Sequence, residues 1–186
     1  MFLASVLEQL DLALEHVSKD DVHNARFSLM LTDNAAELLL HQIAKNQASE
    51  LKNWSHLRDD FQHKKELEDA LRRSFDAKVK FAKLLGKLNE EQGQTISIIH
   101  SYRNEVYHVG LHHETILPTL AAFHFDVVCR FATAFETNGL WWGSNMVLPQ
   151  RAQKYFDGDK FFPGTIEHFR NGCATMAEQC GHSRGV

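Results

Sequence analysis

Residues 21–48 read DVHNARFSLMLTDNAAELLLHQIAKNQA. Ala25, Leu29, Leu31, Ala35, Leu38, Leu39 and Ile43 recur at helical spacing, the repeat that stacks side chains on shared faces of an α-helix. Neither proline nor glycine interrupts the run, so one long helix is predicted. Ser18 to Asp21, just before it, supplies an N-cap oxygen and acidic residues that suit the positive end of the helix. These residues line its buried faces within a helical bundle.

On its N-terminal side, Phe2, Leu3, Val6, Leu7, Leu10, Leu14 and Val17 give a first amphipathic helix. Glu8, Asp11 and Glu15 interrupt the apolar stretch and no basic segment precedes it, so it does not read as a signal peptide. On the C-terminal side, residues 49–62 are polar and mixed and read as a loop or an irregular short helix. Lys64 to Leu88 reads as a third helix, with Leu67, Leu71, Phe75, Val79, Ala82 and Leu85 as its stripe. Gly93 marks a turn. A fourth helix follows from Gln94 to Val109, with Ile96, Ile98, Ile99, Tyr102 and Val106 facing inward and Gly110 ending it. A fifth runs from Glu114 to Glu136, with Pro118 tolerated in its first turn. Past Thr137 the texture changes: residues 139–165 hold Trp141, Trp142 and two prolines and read as an ordered irregular segment. A short helix from Thr165 to Cys180 and a disordered tail from Gly181 to Val186 complete the chain. The expected architecture is all-α: an antiparallel up-and-down bundle of four to five helices over 1–137, then an irregular aromatic-rich extension over 138–186 ending in a short helix.

Bulk properties narrow the function classes. The chain has 186 residues, 44% of them hydrophobic and 24% charged, with a formal net charge of −4. That balance argues against a strongly basic nucleic-acid binder and leaves room for a local basic patch. Residues 51–90 hold ten of the twenty Lys and Arg against seven acids; Lys64, Lys65, Arg72, Arg73, Lys78 and Lys83 are the expected RNA contacts, beside the alternative of a solvated helix face balanced by Glu66, Glu68 and Asp69. Three cysteines without CxxC spacing fit a reducing, cytoplasmic compartment, and no run has the length and apolarity of a membrane span. Of the twelve histidines, His112 and His113 are adjacent and point to different sides of a helix, so they read as loop and cap rather than as a metal site.

Two places break the apolar pattern. Asp33, Glu37 and His41 are spaced by four within the second helix, so they stack on one side, flanked by large apolar residues. A carboxylate half-buried there needs a partner. The fourth helix carries Arg103-Asn104-Glu105-Val106-Tyr107-His108 although it is apolar on most sides. Asn104 and His108 stack, and Arg103 and His108 lie about 140° apart while still able to converge on one groove. Two such helices meeting across a two-fold axis would pool their cations and imidazoles.

An Arg, a polar residue directly after it, and a His with four residues between, late in a small helical domain, resembles the HEPN superfamily and its RX4–6H motif. The segment Asp33-Asn34-Ala35-Ala36-Glu37 is similar to the acidic helix that faces this motif in many such proteins. The resemblance covers residues 1–137. It implies a dimeric, metal-independent ribonuclease, often a toxin or antiviral effector, that cleaves RNA through its own 2′-hydroxyl and needs no cofactor. Arg103, Asn104 and His108 would be catalytic, with Asp33, Glu37, Glu105 and Tyr107 in support. His108 would move protons, Arg103 would offer its planar fork to phosphate, and Asp33 or Glu37 would steer Arg103. The partners implied are RNA, a second copy of the chain, and an antitoxin or other regulatory protein, with no membrane. In some members a Tyr two residues after the His is modified by a nucleotidyltransferase antitoxin; here that position is Gly110, so that mode is not implied.

Two other readings stand beside this one. In a non-catalytic, dimeric helical interaction or nucleotide-binding module, Arg103 and Asp33 or Glu37 would form a buried salt bridge and residues 141–149 a docking surface. A di-metal carboxylate bundle needs two Glu-x-x-His motifs; Glu105 and His108 supply one, but Glu37 and His41 are four apart rather than three.

Overall fold

The computed structural model describes residues 2–54, 60–109, 114–136, 148–156 and 166–182, with the backbone alone at 106–109. Eight α-helices and no strand occur among them: α1 Phe2–Val17, α2 Val22–Asn53, α3 Lys64–Ala70, α4 Phe75–Leu84, α5 Glu90–Val109, α6 Leu117–Thr133, α7 Gln150–Gln153 and α8 Ile166–His182. The protein is all-α.

The second helix forms where the hydrophobic pattern predicts it, with Asp21 as its N-cap accepting from the Asn24 amide at 2.9 Å, and it, rather than the fourth helix expected from its apolar faces, is central to the bundle. It runs on to Asn53, past the expected loop start at Ser49, and Leu51 is buried against Leu67, Ala70 and Phe81 in a small second core. Tertiary burial has carried the helix through a polar stretch that has no stripe of its own. The expected single helix over 64–88 is two. Ser74 caps α4 through a bond from the Ala77 amide to its hydroxyl at 3.3 Å. Gly86, at φ +66°, closes the other end, where its left-handed backbone lets the Lys87 amide reach the Ala82 carbonyl at 2.9 Å. The turn expected at Gly93 lies four residues earlier. Asn89 and Gln92 exchange side-chain and amide bonds at 2.8 and 3.3 Å, a capping box, and Gly93 falls inside the first turn of α5. There a side chain would collide with Lys83, so glycine allows α5 to close onto α4.

Directions follow from cross-helix contacts. Gln9 meets Asn34 and His16 meets Asn24, so α1 is antiparallel to α2. Arg26 meets Glu114 at 2.7 Å, and Ile43 shares a small pocket with Phe131, so α6 runs parallel to α2. On the other side, Phe75 meets His100 and Lys83 meets Glu90, which makes α5 antiparallel to α4. Ile96 and Ile99 enter the core as expected, whereas Ile98 is exposed, because it sits about 200° around the helix from Ile96.

One hydrophobic core receives residues from both sides of residue 137. Leu7, Leu10, Leu29, Leu39 and Phe125 are joined in it by Phe169, Cys173 and Met176 of α8. The three cysteines are free and buried, and burial pushes the Cys129 and Cys173 thiols far up. Gly172 permits the close approach: a Cβ there would stand 3.1 Å from Tyr155 and 3.2 Å from Leu7. The helix α7 is tied down by Asp11, which binds Arg151, Lys154 and the Tyr155 hydroxyl. The stretch Glu114–Thr133 is long and apolar enough to cross a membrane by composition alone, which the reading of the sequence missed; half of it is buried inside the protein, as in a core helix. Most of the aromatic segment and the tail beyond His182 lie outside the described residues.

Candidate functional site

The acidic strip of α2 finds a partner at each level. Asp33 is wholly buried. Its carboxylate forms an ion pair with Arg103 Nη2 at 2.9 Å and accepts from His100 Nδ1 at 3.0 Å to each oxygen, both residues from α5. One turn on, Glu37 accepts from Lys78 Nζ of α4 at 3.1 Å. One turn further, burial together with nearby Lys45 and Lys78 holds the His41 imidazole below its ordinary value, against a bond to the Ala70 carbonyl. Burial pushes the Asp33 carboxyl up, and His100 and Arg103 pull against it.

The ring of His100 lies flat on Phe75, 3.7 Å between centroids and 4° between planes. The break before Ser74 therefore matters, because it sets Phe75 at the start of α4, where its ring covers the imidazole. Arg103 also donates from Nη1 to Asn104 Oδ1 at 2.8 Å, and Asn104 Nδ2 lies 3.3 Å from His100 Nε2. Arg103 keeps 27% of its side-chain surface, so the cluster is closed at its root and open at its rim. Behind it, His124 of α6 is fully buried with neither ring nitrogen bonded among the described residues, and burial followed by the field of His100 pushes it down to about 3. The Ser28 and Thr32 hydroxyls of α2 are likewise buried without a partner in the described structure.

The expected site residues divide clearly. Arg103, Asn104 and Asp33 come together. Glu37 does not steer Arg103, because Lys78 takes it. Glu105 lies on the exposed face of α5, away from the cluster. The side chains of Tyr107 and His108 lie outside the described residues. Of the expected RNA contacts, Lys64, Lys65, Arg72 and Arg73 are exposed, and Lys83 is partly covered in an ion pair with Glu90 at 2.8 Å. Lys78 must be corrected. Its side chain is only 4% exposed, because Phe75, Val79 and Ala82 of the same helix turn it into the interior, where Glu37 compensates its charge. Glu37 and Glu105, weighed for a di-metal site, do not converge, and no cluster of three metal-ligating side chains occurs among the described residues.

His100 is a member of the cluster beyond the residues expected from the sequence. The signal was present: His100 and Arg103 are three apart, and so share the face that meets Asp33. No family model, curated protein or solved structure matches the chain.

Proposed function

We propose that the chain is a metal-independent endoribonuclease of the HEPN type that cleaves RNA by attack of the neighbouring 2′-hydroxyl. The observation that carries this reading is the Asp33–Arg103 pair: a buried carboxylate of the acidic helix holds the arginine of the RX4–6H segment at 2.9 Å. A guanidinium anchored from behind keeps a fixed edge for a phosphate, and fixed charge stabilises a phosphorane more effectively than a mobile side chain. In this reading His108 moves the proton and Asn104 assists at the phosphate. A second copy of the chain supplies the other half of the proton chemistry. Lys64, Lys65, Arg72 and Arg73 offer exposed charge to the RNA backbone. The setting is a cytoplasmic toxin or defence effector held in check by an antitoxin or other regulatory protein.

The test is cleavage of a mixed RNA substrate in EDTA. Expected are products with 2′,3′-cyclic phosphate ends, and a loss of about 10²–10⁴ in rate in His108→Ala with folding retained. One observation favours a second reading, a non-catalytic helical interaction or nucleotide-binding module: both Nη atoms of Arg103 are engaged inside the protein, one in the ion pair with Asp33 and one in the bond to Asn104. That reading stands if the wild type cuts no RNA while Arg103→Ala unfolds the protein.

A further inference from the structure

The contacts around Arg103 close a ring: Asp33 to His100, His100 to Asn104, Asn104 to Arg103, and Arg103 back to Asp33. Each bond in it has a direction. A carboxylate only accepts, so His100 carries its proton on Nδ1. A guanidinium only donates, so Asn104 turns its carbonyl to Arg103 and its NH2 to His100, whose Nε2 must then be bare. The neutral Nδ1–H imidazole is the state in which every contact of the ring sets a donor against an acceptor; Arg103 Nε, outside the ring, is buried without a partner in the described structure.

We infer that His100 is a protonation-controlled positioning residue: when neutral it locks Asn104, and through it Arg103, in the working orientation, and when protonated it releases both. A proton on Nε2 would face the Asn104 NH2, donor against donor. The imidazole cannot swing away, because Phe75 is stacked on its face and Asp33 holds Nδ1. Asn104 is the group that turns. Its carbonyl then serves His100, its NH2 faces Arg103 Nη1, and the guanidinium keeps only its tie to Asp33. The charged and titratable groups around His100 come from every side: Asp33 with Glu37 a turn beyond on α2, Lys78 a turn past Phe75 on α4, Arg103 on α5, and His124 on α6. Asp33 and Arg103 face it directly, Lys78 is already matched by Glu37, and His124, held near 3, is uncharged between about pH 5 and 8.

The inference rests on the proposed function only for what Arg103 then does to a phosphate, so it is tested first without RNA. In 15N-labelled protein, the His100 ring, the Asn104 amide and the Arg103 guanidinium are followed together by NMR between about pH 5 and 8, where histidines titrate. Expected are an Nδ1–H tautomer at the basic end and one shared midpoint for all three groups. In Asn104→Ala, His100 should still titrate while Arg103 no longer follows it. His100→Gln should remove the shared transition altogether. An Nε2–H tautomer, or an Arg103 signal that ignores His100 in the wild type, overturns the inference. If RNA is cut, the acid limb of kcat should follow the same midpoint and be lost in His100→Gln; an unchanged acid limb overturns it equally. A shared transition in a protein that cuts no RNA upholds the positioning role and removes the ribonuclease instead.

Discussion

The buried carboxylate of Asp33 and the guanidinium of Arg103 lie 2.9 Å apart, joining the middle of α2 to the middle of α5. A charge in that position is tolerable only while its partner remains. Asp33→Ala should cost about 3 kcal/mol, the low end for a broken buried pair because Arg103 still reaches solvent. Urea unfolding measures it, and Asp33→Ala with Arg103→Leu should recover part of the loss. A cost below about 1 kcal/mol would place the pair among ordinary surface bridges.

His124 makes the fold sensitive to acid. Its imidazole sits near 3 when folded and returns to about 6.5 when unfolded. The unfolded chain therefore binds the extra proton between those values. Stability is fully present above pH 6.5 and falls as pH drops toward 3, by about 1.4 kcal/mol per unit from this group. In His124→Phe, which fills the space without orphaned nitrogens, the acid slope should be shallower by that amount. Equal slopes in denaturant melts across this range would remove His124 from the account.

Lys78 and the arginines near it should separate cleanly. Lys78→Met should change stability by no more than about 1 kcal/mol, since Glu37 keeps 35% of its side-chain surface and can be hydrated. It should leave RNA affinity unchanged. Arg72→Glu with Arg73→Glu should weaken RNA binding and reduce the salt slope by about one per lost phosphate contact. Filter binding over a salt series checks both; weakened binding in Lys78→Met alone would mean that its side chain leaves Glu37 for RNA.

Asp11 should hold α7 in place. Burial alone would raise its carboxyl, but Lys154, Tyr155 and Arg151 together hold it below its ordinary value. Asp11→Ala should cost about 1–3 kcal/mol. Amide hydrogen exchange should quicken at residues 150–156 ahead of α2. Uniform quickening across the chain would show that the contact stabilises the whole core rather than α7.

Much of the fold was legible in the order of residues, and the reason is periodicity. The stripes at Leu3 to Val17 and Ala25 to Ile43 mark α1 and α2, because their buried faces repeat with the helix. The polar stretch after Ser49 carried no such repeat, and its helix exists because Leu51 finds a second core. The cap at Ser74 was readable but was outweighed by a stripe that continues across the break. In the site, the need of Asp33 for a cation was legible from spacing alone. Which cation it takes was not, since Arg103 and Lys78 differ only in where α4 and α5 sit beside α2. The spacing of His100 from Arg103 placed it on the same face, but the Phe75 ring that fixes its imidazole arrives from another helix and leaves no mark in that spacing.

The seating of α8 between α1 and α6 has a consequence for synthesis. Within this stretch α1 leaves the ribosome long before α8, on which it rests, and Leu7 meets Gly172 in the finished core. Until residue 182 has emerged, the nascent bundle carries an unfilled apolar trough where Phe169, Cys173 and Met176 belong. Folding must therefore finish after translation of this stretch rather than during it. That interval is when the chain has most need of a chaperone to cover the trough.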